Sequence, residues 1–430
     1  MSKVAEYAEV PVAERPIDAV VELPGSKSYT NRALLIAALA DGQSRLERAL
    51  FSDDTRYMVS ALRGLGIRIA VDAHESSLVV DGASGRVPVS TADLFIGNAG
   101  TAARFLTSYV ALGSGEYRID GISRMRERPI GPLLTALRQL GISAESEQGN
   151  DCPPVVVKSR GLRGGTVEIA GDLSSQFISA LLMVAPCTPE GLEIQIRGEL
   201  VSKPYVDLTL SVMRAFGVSG NNDAFRRLVV PGGQSYHART YPVEPDASGA
   251  SYFLAAAAVT GGRVRVNALG RGSVQGDVRL ASILEQMGCQ VTWGDDFVEV
   301  CGPATLRGVD VDLADLSDVA QTLAAIAPFA SSPVRIRGVA HIRRKETDRI
   351  AAMTSQLRRL GATVAEHDDG WEIAPSELRG ASLNTYDDHR MAMSLAVTAL
   401  RVPGVRILDP GCVAKTFPDF FERFAKLTAM

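Results

Sequence analysis

The feature of this sequence that most constrains its fold is a repeat. Six segments share one pattern: a short polar cluster, an apolar and Ala-rich helix, a Gly or Pro break, and a short strand. The clusters recur at a spacing of about 70 residues, and self-similarity at a fixed spacing indicates a duplicated supersecondary unit. They begin near Ser26, Asn98, Ser174, Asp246, Ser317 and Asp387. We therefore expect six copies of one helix–strand–helix unit.

A second helix closes each of the first five repeats, and a glycine marks its end. The glycine follows an apolar residue each time, in the pairs Leu65-Gly66, Leu140-Gly141, Phe216-Gly217, Met287-Gly288 and Leu360-Gly361. Glycine just past a helix end readily adopts the left-handed conformation that closes the helix. Five such glycines in register argue against a chance similarity of Ala-rich helices. The sixth repeat is expected to end in an aromatic helix, Phe417–Leu427.

The six repeats are expected to form two lobes of three repeats each. Residues 241–245 contain two prolines and lie between the third and fourth repeats, as a crossover would. The run Leu23-Pro24-Gly25 resembles a second hinge, and the short strand before it is expected to pair with the repeats after the crossover. We therefore assign residues 1–24 and 243–430 to a discontinuous lobe I, and residues 25–242 to lobe II. Both lobes are of ordinary domain size.

The charge balance argues against a nucleic-acid-binding protein. Lys plus Arg amounts to 45 against 49 Asp plus Glu, whereas such proteins show a basic excess. The five cysteines form no CxxC pair and no zinc-site spacing, so we expect reduced thiols and no metal. The stretch Met1–Val10 lacks the apolar core of a signal peptide, and apolar runs such as Phe253–Val259 are too short to span a bilayer. We expect a soluble, cytoplasmic monomer without membrane or nucleic-acid partners.

The polar clusters are expected at helix N-termini, where unpaired N–H groups and the helix dipole attract anions. The first cluster, residues 24–32, offers hydroxyls and two cations but lacks the GxxxxGK[ST] spacing of a nucleotide-binding loop. In the second, Gly100 would let a ligand approach the backbone closely. A plain helix cap explains Ser174, Ser175 and Asn98 equally well when each is taken alone. If the repeats of each lobe run parallel, the cleft between the lobes becomes an anion site.

Arginines are concentrated in two charged runs, residues 124–129 and residues 343–349. A third charged run, residues 387–390, opens the sixth repeat and contains Arg390. Arg128, Arg349 and Arg390 each stand beside a predicted helix start, where a guanidinium can hold a carboxylate or phosphate with two hydrogen bonds. The remaining arginines of the two runs are predicted to lie on solvated faces, and these are Arg124, Arg126, Arg343 and Arg344. His389 is expected to orient Asp388 or to contact the site.

Taken together, the motifs resemble the 5-enolpyruvylshikimate-3-phosphate (EPSP) synthase family from Leu23 to Phe421. The strings that carry the resemblance, in the family's order, are LPGSKSYTNRALLIAALADG, GNAGTAAR, RMRERPIG, SSQF, VSKPY, RRKETDR, YDDHRMAM and AKTFPD. The resemblance implies an α/β fold of two similar lobes, each of three βαβαββ-type repeats, known as an inside-out α/β barrel. It also implies the reaction of shikimate 3-phosphate with phosphoenolpyruvate, which gives EPSP and phosphate without metal or organic cofactor.

The resemblance also implies the site residues. Shikimate 3-phosphate would be bound by Lys27, Ser28, Arg32, Ser174, Ser175, Gln176, Ser202, Tyr205, Asp318, His341 and Lys345. Phosphoenolpyruvate would be bound by Lys27, Asn98, Gly100, Arg128, Gln176, Arg349, Arg390 and Lys415. The reaction needs an acid and a base, and we expect Asp318 as base with Lys27 and Glu346 as proton carriers. The alternatives are a helix cap at Asp318 and a surface ion pair between Glu346 and Arg349.

Two positions depart from the family's usual pattern. His341 stands where many members carry Asn, and Phe105 stands where several carry Pro. Gly100 predicts sensitivity to the phosphoenolpyruvate mimic glyphosate, because an Ala there would crowd the pocket.

Two other classes of protein compete with this interpretation. The related enolpyruvyl transferases that act on UDP-N-acetylglucosamine carry a cysteine in the loop that corresponds to Gly121–Pro129, which here has none. A silent binding protein is disfavoured because Lys27, Asp318, Glu346 and Lys415 are all present. A module of a multifunctional enzyme is disfavoured because the chain ends soon after the last repeat.

Overall fold

The structure is a computed structural model that describes residues 6–428. Contacts divide the chain into two compact lobes: lobe I, residues up to Pro24 and from Pro245 onward, and lobe II, Gly25–Glu244. Each lobe has its own apolar core. Residues 1–5 and 429–430, which the sequence assigned to lobe I, lie outside the described residues. Within residues 6–428, no helix combines the length and the apolar composition needed to cross a membrane.

The helices fall into pairs, one pair for each repeat. In lobe II they are α1 Lys27–Leu39, α2 Asp53–Gly64, α3 Gly100–Val110, α4 Gly131–Gln139, α5 Ser175–Val184 and α6 Pro204–Ala215. In lobe I they are α7 Ala247–Thr260, α8 Leu280–Gln286, α9 Ala320–Ile326, α10 Arg349–Arg359, α11 His389–Ala399 and α12 Phe420–Ala425.

The strands are short, and most of them alternate with the helices along the chain. In chain order, up to the crossover, the strands are β1 Tyr7–Glu9, β2 Asp18–Val21, β3 Gln43–Glu47, β4 Arg68–Asp72, β5 Ser77–Asp81, β6 Thr91–Phe95, β7 Ser114–Asp120, β8 Ser143–Ser146, β9 Val155–Arg160, β10 Gly165–Ala170, β11 Leu192–Arg197, β12 Asn221–Asp223, β13 Arg227–Val230 and β14 Thr240–Pro242. After it they are β15 Arg263–Asn267, β16 Gln290–Trp293, β17 Phe297–Cys301, β18 Asp310–Asp312, β19 Val334–Arg337, β20 Val364–His367, β21 Gly370–Ile373, β22 Ser382–Leu383 and β23 Arg406–Leu408.

The sheets repeat one topology, which confirms the predicted duplication. Five sheets have four strands in the orders β14-β3-β5-β4, β6-β7-β9-β8, β10-β11-β13-β12, β2-β15-β17-β16 and β18-β19-β21-β20. In each, the first pair is parallel and the next two pairs are antiparallel. A parallel pair needs a crossover, and a single intervening helix supplies it in three of these sheets, through α3, α5 and α9. The sixth sheet, β1-β23-β22, has three strands.

The N-terminal segment returns to lobe I, as predicted. Strand β2 pairs in parallel with β15, and β1 completes the sixth sheet by pairing with β23. Interpreting residues 241–245 as a plain crossover was incomplete. Their first part belongs to β14, which pairs in parallel with β3 as the first strand of the first repeat's sheet. The two chain crossings therefore supply the opening strand of one repeat in each lobe.

The glycines that follow the second helices have the predicted left-handed conformation. The φ angle is 90° at Gly66, 80° at Gly141, 90° at Gly217, 104° at Gly288 and 99° at Gly361. A residue with a Cβ atom is strained in this region, so glycine is the natural choice there. The first helix of each repeat is almost entirely buried, and all of α3 and α11 is buried. We call the first helix of each repeat its inner helix. The inner helices form the cores of the two lobes, and the polar clusters lie at their N-terminal ends.

The expected aromatic helix at the C-terminus is shorter than predicted. Helix α12 spans only Phe420–Ala425, and the 3-10 turn Lys426–Thr428 follows it. Pro418 explains the late start, because proline disfavours a helical conformation at the residue before it. The aromatic side chains still form one cluster, in which the Phe253 ring lies 5.5 Å from Phe424 and 6.1 Å from Phe417.

Candidate active site

The predicted polar clusters lie at the starts of the inner helices. Lys27 is the first residue of α1, Gly100 of α3 and Ser175 of α5, while His389 opens α11. In the fifth repeat a 3-10 turn, Ser317–Val319, comes before α9. The predicted residues thus form two groups, one in each lobe, and each is described by itself.

In lobe II, the ammonium group of Lys27 is held at the start of α1. Its Nζ lies 3.5 Å from Oδ2 of Asp54, and the two side chains are 15% and 3% exposed. Asp54 lies in the first turn of α2, which Ser52 and Thr55 close with a reciprocal capping box. No local pattern in the sequence identifies Asp54 as the partner of Lys27, because an acidic residue in the first turn of a helix is common. Lys27 is therefore a largely buried cation with a fixed position.

Arg128 reaches the start of the second repeat's inner helix. Its Nη1 donates to the carbonyl oxygen and to the side-chain oxygen of Asn98, both at 3.0 Å. The first residue of α3 must be small here, because a Cβ atom on Gly100 would lie 2.4 Å from Nη2 of Arg128. Arg104 stabilises the arrangement by donating to the carbonyl oxygens of Gly100 and Pro129, at 3.1 and 2.6 Å. Arg128, Asn98 and Gly100 therefore lie next to one another.

At the third repeat, the uncharged cluster caps its helix. The Oγ of Ser174 accepts from the N–H of Gln176 at 3.2 Å, so Ser174 is a helix cap as well as a predicted ligand residue. The Nε2 of Gln176 donates to Oγ1 of Thr101 at 3.4 Å, which brings the second and third clusters together. Ser175 is buried beside them.

Arg32 lies behind the first cluster. It is 2% exposed, and it donates to the carbonyl oxygens of Ser28 and Tyr205 at 3.0 and 3.2 Å. It also donates to Oγ1 of Thr209 at 2.7 Å and to Oγ of Ser179 at 3.1 Å. Burial lowers the pKa of Arg32 to about 10, so the guanidinium remains charged at neutral pH. It holds the backbone of two predicted ligand residues in place.

Phe105 and Ser202 are two further buried residues of lobe II. The Arg32 guanidinium carbon lies 5.2 Å from the ring centroid of Phe105, which is fully buried. Ser202 is buried just before α6 and has a left-handed φ of 56°. A non-glycine residue in this region is typical of functional sites, where surrounding contacts hold the strained backbone.

In lobe I, the carboxylate of Asp318 lies between two arginines. Arg390 donates to its Oδ2 from Nη2 at 2.7 Å and to its backbone carbonyl oxygen at 3.0 Å, and Arg349 donates to its Oδ1 from Nη1 at 3.3 Å. The N-cap residue of α9 is Val319, so the alternative of a helix cap at Asp318 is wrong. The side chain is 22% exposed and can reach a ligand.

Arg349 is the most buried cation of lobe I. It donates from Nε to Oδ2 of Asp388 at 2.8 Å and from Nη2 to Oε2 of Glu346 at 3.0 Å. Burial alone would lower the pKa of Arg349, but the carboxylates of Asp388, Glu346 and Asp318 outweigh it and raise that pKa above the usual range. The ion pair of Glu346 with Arg349 exists, but both side chains are under a tenth exposed. The alternative of a surface ion pair is therefore wrong.

Lys415 lies next to the Glu346–Arg349 pair, and the acids Asp387 and Asp409 are nearby. The Nζ of Lys415 lies 4.0 Å from Oε1 of Glu346, and its side chain is 10% exposed. Burial, together with the nearby Asp409, raises the pKa of Asp387, which Lys415 partly offsets. Glu346 therefore has a cation near each of its carboxylate oxygens, Arg349 at Oε2 and Lys415 at Oε1.

Asp388 was not among the predicted site residues, although its YDDHR string was noted. It is fully buried and caps α11 by accepting from the N–H of Arg390 at 2.9 Å, while it also holds Arg349. His389 is buried beside it, with Nδ1 3.7 Å from Oδ1 of Asp388. The useful signal was an acid immediately before a predicted helix start, next to an arginine.

His341 presents a neutral ring. Burial, followed by the nearby Lys345, lowers its pKa from 6.5 to about 3. Its Nε2 is buried and meets no hydrogen-bond partner among residues 6–428. Since a buried polar atom in a protein is normally paired, this nitrogen is available to a ligand. Lys345 lies half-buried between His341 and Arg349 along the chain.

Arg343 lies partly exposed and is held there by two carboxylates. Its side chain is 26% exposed and binds two carboxylates, those of Asp348 at 2.9 Å and Glu366 at 3.0 Å. Asp348 caps α10, so Arg343 holds the start of the helix that begins with Arg349. Arg344 is exposed, and Arg126 pairs at the surface with Asp120. Arg124 is 33% exposed and donates to Glu127.

These geometries define what each group can do. Lobe II offers Lys27 and Arg128 beside helix starts, and lobe I offers Arg349, Arg390 and Lys415 beside the acids Asp318 and Glu346. Such sets bind phosphate or carboxylate and can move protons. No three Cys, His, Asp or Glu side chains of the described chain are grouped so that they could hold a metal ion.

Comparisons with known proteins agree on one family. The family model of EPSP synthase (3-phosphoshikimate 1-carboxyvinyltransferase) matches residues 12–424. The 3-phosphoshikimate 1-carboxyvinyltransferase of Trichormus variabilis is 53% identical over 418 residues, which cover 97% of this chain and 98% of the relative. That of Yersinia pseudotuberculosis is 47% identical over 417 residues, which cover 96% and 97%.

Solved structures show the same fold. EPSP synthase from Acinetobacter baumannii has a TM-score of 0.81 at 24% identity, with 98% of this chain and 97% of that one covered. The enolpyruvyl transferase NikO from Streptomyces tendae has a TM-score of 0.78 at 19% identity, with 98% and 97% covered. The chain has the enolpyruvyl transferase fold, and by the family match and its relatives it belongs to the EPSP synthase family.

Proposed function

We propose that this chain transfers the enolpyruvyl group of phosphoenolpyruvate to the 5-hydroxyl of shikimate 3-phosphate, giving EPSP and phosphate. Family membership supports this reaction. The observation that carries it is the carboxylate of Asp318 held between Arg349 and Arg390. A base for the attacking hydroxyl and two cations for an anionic substrate are thereby combined in one place. Glu346, which lies 4.0 Å from the ammonium group of Lys415, is the proposed second group for proton transfer.

Phosphoenolpyruvate is the more highly charged substrate for its size, and it requires several cations. We assign its carboxylate to the arginines of lobe I, because a guanidinium matches a carboxylate with two parallel hydrogen bonds. Its phosphate would be held by Arg128 and the helix starts of lobe II. The full set of proposed contacts is Lys27, Asn98, Gly100, Arg128, Gln176, Arg349, Arg390 and Lys415.

Shikimate 3-phosphate carries hydroxyls as well as charge, which suits a mixed set of residues. The serines at the starts of α1 and α5 would bind its phosphate, and the neutral His341 would offer its unoccupied Nε2. The proposed contacts are Lys27, Ser28, Arg32, Ser174, Ser175, Gln176, Ser202, Tyr205, Asp318, His341 and Lys345. Residues of both lobes are therefore proposed to contribute to the binding of both substrates.

The paired carboxylates keep the cations in position until the substrates bind. Groups that are already oriented need no reorganisation when charge develops in the transition state. When the substrate carboxylate takes the guanidinium hydrogen bonds, it competes with Asp318 for Arg349 and Arg390. Asp318 then loses part of its stabilisation as an anion, which raises its proton affinity. Substrate binding itself would thus prepare the base.

The proton transfers follow from these assignments. Asp318 accepts the proton of the 5-hydroxyl while the oxygen attacks C2 of phosphoenolpyruvate, and the C3 methylene gains a proton to become a methyl group. The resulting tetrahedral intermediate loses phosphate from C2 and a proton from C3, which restores the C2–C3 double bond and leaves the new enol ether of EPSP. Lys27 and Glu346 are the proposed carriers of the C3 proton. No metal or organic cofactor takes part in this scheme.

The competing acceptor is UDP-N-acetylglucosamine. The loop Gly121–Pro129 contains no cysteine, which argues against that activity. A phosphate-release assay with phosphoenolpyruvate and each acceptor in turn tests the choice. We expect release with shikimate 3-phosphate, and none with UDP-N-acetylglucosamine or without an acceptor. Release with the UDP-sugar alone would overturn the proposal.

We further propose that the enzyme works as a cytoplasmic monomer and needs no nucleic acid, membrane or protein partner. All five cysteines are free thiols, which suits a reducing compartment. The nearly balanced charge gives no general attraction for nucleic acid. Light scattering at assay concentrations should give a mass close to 45.7 kDa. A mass of twice that value would contradict the monomer.

A further inference from the structure

Helix α10 contacts the turn before α11 at two points, and only one of them belongs to the proposed binding site. At its first residue, Arg349 donates to both carboxylate oxygens of Asp388, at 2.8 and 3.3 Å. Further along, Gln356 contacts the same turn with both ends of its amide. Its Oε1 accepts from the N–H of Asn384 at 2.9 Å, and its Nε2 donates to the Tyr386 hydroxyl at 2.6 Å.

The spacing of the two contacts follows from helix geometry. Arg349 and Gln356 are seven residues apart on α10. Seven residues make almost two full turns, so both side chains project from one face, about 10 Å apart along the axis. Gln356 is 1% exposed, so its amide must be paired within the protein. Helix α10 is therefore hydrogen-bonded to both ends of the turn 384–388, through Gln356 at its start and through Arg349 at Asp388.

The backbone of the turn 384–388 is strained. Tyr386 and Asp387 have φ angles of 56° and 54°, which are left-handed values that non-glycine residues rarely adopt. Two such residues in succession raise the free energy of the turn, and they persist only where surrounding contacts hold them. The Gln356 amide is hydrogen-bonded to Asn384, which precedes the strained residues, and to Tyr386, which is the first of them. Without it, the turn would relax toward ordinary backbone angles.

Asp388 follows the strained residues directly, so it would move with them. It is fully buried and holds Arg349, and it also caps the helix that carries Arg390. Both arginines are proposed to bind the carboxylate of phosphoenolpyruvate. The position of that binding group is therefore linked through Asp388 to the turn, and through the turn to Gln356.

We propose that Gln356, together with the Tyr386 hydroxyl, is a positioning residue for phosphoenolpyruvate binding. The pair holds the left-handed turn, the turn fixes Asp388, and Asp388 orients Arg349 and Arg390. Gln356 itself touches no substrate in this scheme. The inference rests on the proposed function, since it takes phosphoenolpyruvate as the ligand of these arginines.

Two variants of the full chain test it. Tyr386→Phe removes only the hydroxyl of a side chain that is 41% exposed, and Gln356→Met removes both hydrogen bonds at similar volume. Gln139→Met is the matched control, because Gln139 bonds the backbone of Glu168 with both ends of its amide, at 3.0 and 2.8 Å, in lobe II. Loss of one or two hydrogen bonds should raise KM for phosphoenolpyruvate roughly three- to tenfold in both variants.

Other kinetic constants separate positioning from general damage. KM for shikimate 3-phosphate should stay within about twofold of wild type, as should all constants of the control. The double variant should be no worse than Gln356→Met alone, because the hydroxyl has then already lost its partner. Equal increases in both KM values, or an unchanged KM for phosphoenolpyruvate in Tyr386→Phe, would overturn the proposal. If Gln356→Met does not fold, Tyr386→Phe decides.

A second readout does not depend on activity. Hydrogen exchange at residues 384–388 should be faster in Tyr386→Phe than in wild type, while exchange in the control should be unchanged there. Unchanged exchange would mean that the pair does not hold the turn. A wild-type chain that fails to use shikimate 3-phosphate would contradict the proposed function instead, and the exchange result would still decide the role of Gln356.

Discussion

Gly100 and Arg128 are fitted together so closely that one added methyl group would not fit. A Cβ atom at position 100 would lie 2.4 Å from Nη2 of Arg128 and 3.0 Å from its Nη1. The same Nη1 holds both oxygens of Asn98. The guanidinium therefore occupies the space beside the α3 helix start because no side chain is there.

This fit predicts the effect of Gly100→Ala. The guanidinium must leave Asn98, so KM for phosphoenolpyruvate should rise about tenfold or more, while KM for shikimate 3-phosphate changes little. Gly64→Ala is a suitable control, because a Cβ there would meet its nearest neighbour, Leu94, at 3.4 Å. Steady-state kinetics with each substrate varied in turn give the answer. Equal behaviour of the two variants would show that Arg128 does not depend on Gly100.

Gly100 also bears on inhibition by glyphosate, which mimics phosphoenolpyruvate. We expect the wild-type enzyme to be inhibited in competition with phosphoenolpyruvate, and Gly100→Ala to be inhibited much less. Inhibition curves at several phosphoenolpyruvate concentrations measure both. Indifference of the wild type to millimolar glyphosate would contradict this expectation.

The buried pair of Arg349 and Asp388 should matter for stability as well as for activity. Asp388→Asn keeps the shape and the helix cap but leaves the buried guanidinium with one carboxylate fewer, so we expect a loss of about 3 kcal/mol or more of unfolding free energy. Urea unfolding followed by fluorescence measures it. The control is Asp310→Asn, which removes an equally short but exposed pair with Arg337 at 2.8 Å. A comparable loss in both variants would mean that burial does not set the strength of the Arg349 pair.

Lys27 can be tested without disturbing the fold. Lys27→Met keeps most of the apolar stem, so near-UV circular dichroism should be unchanged while phosphate release falls below detection. The matched control is Lys158→Met, which removes an exposed lysine paired with Glu116 at 3.2 Å and should retain full activity. A nearly active Lys27→Met enzyme would remove Lys27 from its proposed role.

His341 predicts a pH dependence of stability with a definite sign. Its pKa is about 3 in the folded protein and 6.5 as an ordinary histidine, so between these values only the unfolded chain takes up the proton. Below pH 6.5, unfolding should therefore become easier by up to about 1.4 kcal/mol for each pH unit. His341→Asn removes this contribution to the pH dependence. The free energy of unfolding of the variant should therefore increase relative to that of the wild type as the pH falls from 6.5 to 4.5. Parallel urea midpoints across that range would contradict the burial of a neutral ring.

Local signals in the sequence predicted the parts of the fold that local chemistry decides. Gly66 and Gly361 could be read as helix ends because few other residues tolerate a left-handed φ. Ser174 could be read as a helix cap because its hydroxyl reaches an N–H two residues away. Such features depend on neighbouring residues alone. They were sufficient to count the repeats.

Side-chain pairing across the fold could not be predicted in the same way. The charged run around Arg343 does not reveal its partners, because one of the two carboxylates comes from the distant strand Val364–His367. Arg349 and Asp388 are 39 residues apart, and their contact depends on how the turn before α11 folds back on α10. Burial and charge balance at such points come from tertiary packing. The motif resemblance supplied the proposed binding residues, but not the residues that hold them in position.

A crystal structure with shikimate 3-phosphate and an unreactive phosphoenolpyruvate analogue tests the central claim most directly. We expect one pair of ligands in contact with Lys27 and Arg128 from lobe II and with Arg349 and Lys415 from lobe I. Ligands bound by one of these sets alone, with the other facing bulk solvent, would contradict the account.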